Sequence, residues 1–310
     1  MRKTRFGILG LLATVVLSAA VAAEGPGSWS KGAAMPSERG EVAAAELDGK
    51  IYIVGGFGGE RDLEIYDPAA DKWSRGAKFP REIHHTAAVG LNGKLYVIGG
   101  YVLDWVPTNA VFEYDPVKDS WSEGSPLDVP RGALVAAALD GKIHAVGGVG
   151  GGRKNTSAHE VYDPAAKKWS KAAPLPTPRD HHAAAALEGR LYVIGGRTDG
   201  DYAKNLAANE AYDPATDRWE SRAALPTARS GIAAAGIDDR VLVVGGEAPS
   251  RTFNQVEGYD PKSNTWRTYA LMPTARHGLG GAAVNGKMYV IAGGPKPGGS
   301  SSSVNEIFTP

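Results

Sequence analysis

Residues 43–56 read AAAELDGKIYIVGG: a small apolar run, the turn Asp48-Gly49, a β-branched run and the glycine pair Gly55-Gly56. The same order recurs along the chain, and the first positions of the six pairs are spaced 44 to 50 residues apart. A period in this range is typical of blades or arrays built from one repeated unit. The pairs, with one substitution in the sixth repeat, are Gly55-Gly56, Gly99-Gly100, Gly147-Gly148, Gly195-Gly196, Gly245-Gly246 and Ala292-Gly293.

Each of the first five repeats contains the signals for four short strands. The turn is a strong hairpin signal, because glycine adopts the positive φ that tight turns require. A third strand follows a loop of variable length and ends at Tyr-Asp-Pro, and a tryptophan stands seven residues after the tyrosine. Four short antiparallel strands joined by short turns form one blade of a propeller. The pairs at this constant interval are Tyr66 and Trp73, Tyr114 and Trp121, Tyr162 and Trp169, Tyr212 and Trp219, and Tyr259 and Trp266.

The glycine pair, followed by tyrosine and tryptophan at a fixed distance, resembles the kelch repeat over nearly the whole chain. This resemblance implies an all-β fold, a closed six-bladed β-propeller of the kelch type. The sixth repeat ends at Phe308-Thr309-Pro310 without a tryptophan strand, whereas Ser28-Trp29-Ser30 stands alone near the start. We therefore expect the N-terminal strand to complete the C-terminal blade and hide two sheet edges. Residues 24–310 are predicted to form this single domain.

Residues 1–23 have the pattern of a secretory signal peptide. A basic start, Met1-Arg2-Lys3-Thr4-Arg5, precedes a nearly uncharged apolar run that ends in Val21-Ala22-Ala23. An uncleaved membrane anchor is the alternative, but the run is short for a span and ends in alanines. Cleavage after Ala22 or Ala23 predicts an exported protein, periplasmic or extracellular, with no transmembrane segment left.

Composition excludes several classes of site and partner. The chain has no cysteine, which excludes disulfides, thiolate metal ligands and cysteine nucleophiles. The 34 basic and 34 acidic residues balance, and removal of the three basic residues of the signal peptide leaves a net charge of about −3. Such a charge gives no electrostatic basis for binding nucleic acid. We also expect a monomer without a cofactor.

An arginine and a glutamate recur at fixed places in five of the six repeats. The second repeat lacks both, with Ile83 and Phe112 in their places. Loss of both charges together indicates that the two side chains of each blade face one another, because an unpaired buried charge would be far more costly than the loss of the pair. A ring of arginines that binds an anionic ligand at the channel mouth is the alternative. The predicted structural pairs are Arg39 and Glu64, Arg131 and Glu160, Arg179 and Glu210, Arg229 and Glu257, and Arg276 and Glu306.

The loops between the second and third strands of each blade vary in length and composition, and they share one face of a propeller. Binding residues commonly lie on such loops, held by a rigid scaffold. Trp105 is the one tryptophan without a role in a blade, and it suits stacking on a sugar ring or anchoring a protein partner. A loop folded over the hydrophobic rim is the alternative. The ligand-binding candidates on these loops are Trp105, Tyr101, Arg153, Arg197, Tyr202, Arg251 and Phe253.

Histidines near the starts of the inner strands raise the question of a metal. His84-His85, His181-His182 and His277 come from blades two, four and six, and these strands converge on the axis. Adjacent residues of a strand point to opposite faces, so each pair offers at most one inward ligand. Their offsets from the arginine positions also differ. We therefore predict packing and hydrogen bonding for these histidines and no metal site.

Two classes of function remain open. The favoured hypothesis is an exported propeller that binds a protein or glycan ligand on its loop face. The alternative is a sugar mutarotase resembling the N-acetylneuraminate epimerases, which are exported six-bladed kelch propellers and need acid–base groups and an arginine in one pocket. Copper oxidases resembling galactose oxidase require a cysteine that this chain lacks. No motif identifies catalytic residues, so the discriminating feature is whether arginines and glutamates converge in an axial pocket or pair within blades.

Overall fold

The computed structural model describes residue 1, residues 25–59 and residues 61–310. The predicted signal peptide therefore lies almost entirely outside the described residues. Six four-stranded antiparallel sheets surround a common axis, which confirms the all-β, six-bladed propeller of kelch type. Within the described part of the chain, no helix has the length and apolar character that crossing a membrane requires.

The four strands of each blade follow one another from the axis outward. The innermost strands are Ala43–Leu47, Ala87–Leu91, Val135–Leu139, Ala183–Leu187, Ala233–Ile237 and Gly280–Val284. The second strands are Lys50–Val54, Lys94–Ile98, Lys142–Val146, Arg190–Ile194, Arg240–Val244 and Lys287–Ile291. The third strands are Leu63–Asp67, Val111–Asp115, His159–Asp163, Asn209–Asp213, Val256–Asp260 and Asn305–Thr309. The outermost strands are Lys72–Gly76, Ser120–Glu123, Lys168–Lys171, Arg218–Ser221, Thr265–Thr268 and Ser28–Lys31.

Short elements complete four of the loops on one face. Two-residue or slightly longer ladders pair Tyr101–Val102 with Val106–Pro107, Arg197–Thr198 with Asp201–Asn205, and Glu247–Ala248 with Arg251–Thr252. Single 3₁₀ turns span Leu103–Trp105 and Gly151–Arg153. These loops are therefore structured extensions of the blades.

The N-terminal strand closes the ring, as predicted. Ser28–Lys31 pairs antiparallel with Asn305–Thr309 and places Trp29 opposite Phe308. The two rings lie 5.0 Å apart between centroids, and the indole N–H of Trp29 donates to the carbonyl of Ala270 in the preceding blade. The outer tryptophans of the other five blades make an equivalent hydrogen bond across to the blade before them. These indoles fill the wide outer part of the wedge between blades, where little else can pack.

The five repeated arginines are fully buried within their blades, and each contacts the glutamate of its own repeat. Arg39 Nη2 lies 3.0 Å from Glu64 Oε2, and Arg276 Nη1 lies 2.6 Å from Glu306 Oε2. The other three pairs are in direct contact as well. Because these guanidinium groups are 0% exposed, they do not form an anion-binding ring at the channel mouth.

The arginines also donate hydrogen bonds to backbone carbonyls of their own blades. Arg229, for example, donates from Nε to the carbonyl of Gly245 (2.8 Å) and from Nη2 to that of Val243 (3.1 Å). In the second blade, where Ile83 replaces the arginine, the hydroxyl of Thr86 donates to the equivalent carbonyl, that of Gly99, at 2.9 Å. The second blade thus replaces a buried ion pair by apolar packing and one hydroxyl.

Candidate functional site

A closed ring of backbone hydrogen bonds surrounds the propeller axis at the loop face. It contains one residue from each blade, two positions after the repeated arginine or its equivalent, and we call these six residues the axial ring. Each member donates its N–H to the carbonyl of a neighbouring member, at 2.7 to 3.3 Å, and all six have a left-handed φ of +50° to +65°. This backbone geometry turns the side chains away from the strand pattern and towards the axis. The axial ring is Glu41, His85, Ala133, His181, Gly231 and Gly278.

A cavity of about 880 Å³ lies above the axial ring and is open to the loop face. Its floor contains Glu41, His85 and His181, and its walls come from loops of all six blades. Such a volume is in the range that proteins use for small ligands. The wall residues are Phe57, Gly58, Tyr101, Trp105, Val106, Pro107, Val149, Gly150, Gly152, Arg153, Arg197, Asp199, Gly200, Tyr202, Glu247, Gly298, Gly299, Ser300 and Ser301.

One wall of the cavity is aromatic. Trp105 lies 5.3 Å from Tyr101, 5.9 Å from Phe57 and 4.7 Å from His84, measured between ring centroids. These three rings pack against the indole of Trp105, yet the residue remains 47% exposed. Asp104 and Trp105 both have left-handed φ values, +58° and +59°, which non-glycine residues adopt at an energetic cost.

The opposite wall is ionic. Arg197 donates from Nη1 to Glu247 Oε1 at 2.6 Å, and its Nε lies 3.3 Å from Asp180 Oδ1. His181 Nδ1 lies 2.5 Å from the same Asp180 oxygen, while the second oxygen accepts hydrogen bonds from Asn155 (2.6 Å) and the N–H of Gly200 (2.9 Å). Asp180 therefore fixes the orientation of both Arg197 and His181.

The pKa values reflect this burial and charge. Burial lowers the pKa of His85 well below its ordinary value, and the neighbouring imidazoles of His181 and His84 lower it further, so His85 is a neutral imidazole. Burial also lowers the pKa of His84 to about 4. Burial alone would raise the pKa of Asp180, but its contact with His181 and its hydrogen bonds from Asn155 and the N–H of Gly200 outweigh burial and lower the pKa, so the carboxyl stays ionised. The cavity floor thus combines neutral nitrogen bases with fixed carboxylates.

The histidines do not follow the strand geometry that the sequence argument assumed. At His85 and His181 the backbone is left-handed, so neighbouring residues do not alternate, and both side chains reach the axis with their ring centroids 4.9 Å apart. The expectation of packing describes other histidines well: His144 and His159 bond to each other inside the third blade (2.9 Å), and His182 lies 3.2 Å from the carbonyl of Val146.

The seven candidates from the sequence separate into two groups. Trp105, Tyr101, Arg153, Arg197 and Tyr202 line the cavity, although Tyr101 and Arg197 are buried and Arg197 is consumed by its carboxylate partners. The other two, Arg251 and Phe253, do not line it: Phe253 is buried and Arg251 covers its ring at 4.6 Å.

Sequence reasoning did not single out Glu41, Asp180 or Glu247. A usable signal exists, because they occupy positions that can be aligned between repeats: two and one after the arginine, and one after the glycine pair. In the other repeats these positions hold residues of different type, such as Ala133, Gly132 and Val149, which indicates that the scaffold does not require a charge there.

Comparisons with known proteins identify the family. A family model described as the KLHDC2/KLHL20/DRC7 Kelch-repeats domain matches residues 133–309, and one described as the Kelch motif matches residues 38–80 and 83–127. A comparison with curated proteins gives no match. A solved structure titled "Structure of YjhT" is similar in fold, with 18% identity and a TM-score of 0.81 over 91% of this chain and 97% of that one. Kelch propellers are generally protein-interaction modules. With its family model covering more than half of the residues, the chain belongs to the Kelch-repeat family.

Proposed function

We propose that this protein is a binding module that takes a glycan ligand in the loop-face cavity. The observation that carries the proposal is the half-exposed Trp105, held by aromatic neighbours over a cavity of about 880 Å³ with a polar floor. A sugar ring has an apolar face and hydroxyl edges, so it matches an aromatic wall on one side and hydrogen-bonding groups on the other.

The polar groups are well placed for this role. Glu41 and Asp199 offer carboxylate acceptors for hydroxyl groups, whereas Arg153 stands exposed at the rim as a donor. Because Arg197 and Asp180 are already fixed by their mutual contacts, the ionic wall is preorganised, and binding requires little side-chain ordering. A protein ligand would instead favour a flat, exposed surface around the loops.

A glycan array with the purified protein tests the proposal. We expect selective binding of a small set of glycans, and an affinity for the best of them that falls at least about tenfold in Trp105→Ala. The matched control is Leu103→Ala, because Leu103 is exposed in the same loop but does not line the cavity. An array without signal, or equal loss in both variants, contradicts the proposal and favours a protein ligand.

A sugar mutarotase is the second candidate, favoured by the neutral His85 beside the Glu41 carboxylate on the cavity floor, at 3.3 Å. Such a pair could move a proton to and from a sugar hydroxyl. NMR anomer exchange with sialic acid tests it: catalysis predicts an acceleration that is lost in Glu41→Gln, and exchange at the rate in buffer excludes this activity.

Export is also part of the proposal, supported by the charge and apolar pattern of residues 1–23. Mass spectrometry of the protein recovered outside the cytoplasm should find an N-terminus at residue 23 or 24. An intact Met1 on protein retained in the cytoplasm would contradict it.

A further inference from the structure

We propose that the axial ring holds one divalent transition-metal ion, with zinc as the best match, bound by His85, His181 and Glu41. One nitrogen of each imidazole and one oxygen of the carboxylate lie within 4.8 Å of one another. Two histidines and a carboxylate form a common ligand set for catalytic zinc and for non-haem iron, and such sites keep further coordination positions open.

The strongest observation is the ring of His181. Its Nδ1 is occupied by Asp180, at 2.5 Å, whereas its Nε2 is buried and has no hydrogen-bond partner among the described residues. The side chain is only 6% exposed. A buried nitrogen without a partner is costly. A carboxylate that holds the other ring nitrogen is also the usual outer partner of a metal-binding histidine, because it orients the ring and leaves the free lone pair towards the metal.

The distances around Glu41 point the same way. His85 Nε2 lies 3.3 Å from Glu41 Oε2, and His277 Nε2 lies 3.4 Å from Glu41 Oε1. A charge-assisted hydrogen bond between such groups is normally about 2.7–2.9 Å long. Two ligands of a tetrahedral zinc ion, each about 2.0–2.1 Å from the metal, stand about 3.3 Å apart. The separation between His85 and Glu41 therefore fits a shared metal better than a direct hydrogen bond.

The neighbouring residues complete the site. The ring positions of the other three blades are Ala133, Gly231 and Gly278, which contribute no side chain larger than a methyl group to the axial ring. His277 donates from Nδ1 to the carbonyl of Gly294 at 3.0 Å, which turns its Nε2 towards the carboxylates of Glu41 (3.4 Å) and Glu247 (3.5 Å). All three ligands line the loop-face cavity, so the open coordination positions face it.

Calorimetric titration of the chelator-treated protein with Zn²⁺ tests the site, with Co²⁺ absorption as a second readout of nitrogen and oxygen coordination. We expect one equivalent of Zn²⁺ to bind, and the affinity to fall at least about 100-fold in His181→Ala. This variant should fold, because the third blade itself has alanine at this position with the same left-handed backbone, φ +52° at Ala133.

Two further variants keep the test decisive. Glu41→Gln removes the anionic ligand at constant size and should weaken binding to a similar degree. The matched control is His159→Asn, since the fourth blade has Asn209 at this position, with an equivalent hydrogen bond to the carbonyl of Ala223. Its Zn²⁺ affinity should be unchanged. Absence of stoichiometric binding, or equal affinity in His181→Ala and the wild type, overturns the proposal.

This test is independent of the glycan. Trp105→Ala should weaken glycan binding at least about tenfold but leave the Zn²⁺ affinity unchanged, because Trp105 offers no metal ligand. Failure of one proposal therefore leaves the other standing.

Discussion

Removal of the glutamate from one blade should lower the free energy of unfolding, because it leaves the buried arginine without its counter-ion. In Glu257→Ala, Arg229 keeps its bonds to the carbonyls of Val243 and Gly245 but loses its only carboxylate partner while remaining 0% exposed. Leaving one charge of a buried pair uncompensated costs about 3–5 kcal/mol of stability. We expect a loss of this size in the free energy of unfolding, measured by urea denaturation with tryptophan fluorescence.

The second blade provides the matched control. Replacing the fifth blade's residues by their second-blade equivalents gives Arg229→Ile, Ile232→Thr and Glu257→Phe in one chain. This triple variant buries no charge, and its new hydroxyl can reach the carbonyl of Gly245 as Thr86 reaches that of Gly99. We expect it to lose only about 1–2 kcal/mol, because the carbonyl of Val243 loses its hydrogen bond from the arginine.

The difference in stability loss between Glu257→Ala and the triple variant decides whether the buried arginine needs its glutamate. If Glu257→Ala costs less than about 1 kcal/mol, the pair is not a buried ion pair of the kind described. If the triple variant is as unstable as the single one, the second blade's solution depends on further residues, and the paired-loss argument fails.

Three other perturbations have defined outcomes. Burial lowers the pKa of His144 to about 4 and that of His182 to about 3. Below about pH 6.5 the unfolded chain therefore binds more protons than the folded protein, and each histidine should remove about 2 kcal/mol of stability by pH 5. The measurement is the thermal midpoint of unfolding, which should fall between pH 7 and pH 5. A midpoint that stays level from pH 7 to pH 5 would contradict this. Gly246→Ala, at φ +121° and with a Cβ 2.8 Å from Ile232, should cost more than about 2 kcal/mol, whereas Gly286→Ala, with nothing within 4 Å, should cost about 1 kcal/mol by the same denaturation assay. Deletion of residues 25–31 should expose the edge of Asn305–Thr309 and cause concentration-dependent association in sedimentation experiments; a monomer of unchanged stability would rule out closure by this strand.

The architecture was predictable because its signals are local. Hairpin turns such as Asp48-Gly49, strand alternation and the interval from tyrosine to tryptophan all lie within a single repeat, and six copies agree with one another. Even closure by Trp29 could be inferred, because the sixth repeat lacks the strand that the N-terminus supplies. Comparison between repeats also indicated which arginines and glutamates belong to the blades.

The candidate site was only partly predictable. Trp105 could be identified because it stands outside the repeat, and so could the loops of the cavity wall. Arg251 and Phe253 lie on a similar loop but pack on each other, and nothing in their local sequence distinguishes them from the residues that line the cavity.

Only the tertiary structure shows which residues meet in the axial ring. Glu41, His85 and His181 belong to three different blades, and they meet because ring closure brings equivalent positions of all blades to one axis. Their left-handed backbone also reverses the side-chain direction that a strand would give, which no periodicity in the sequence reveals. The strand and turn signals repeated along the sequence are therefore sufficient to predict the propeller. The polar groups at its centre come from residues that are not repeated between blades, and only closure of the ring brings them together.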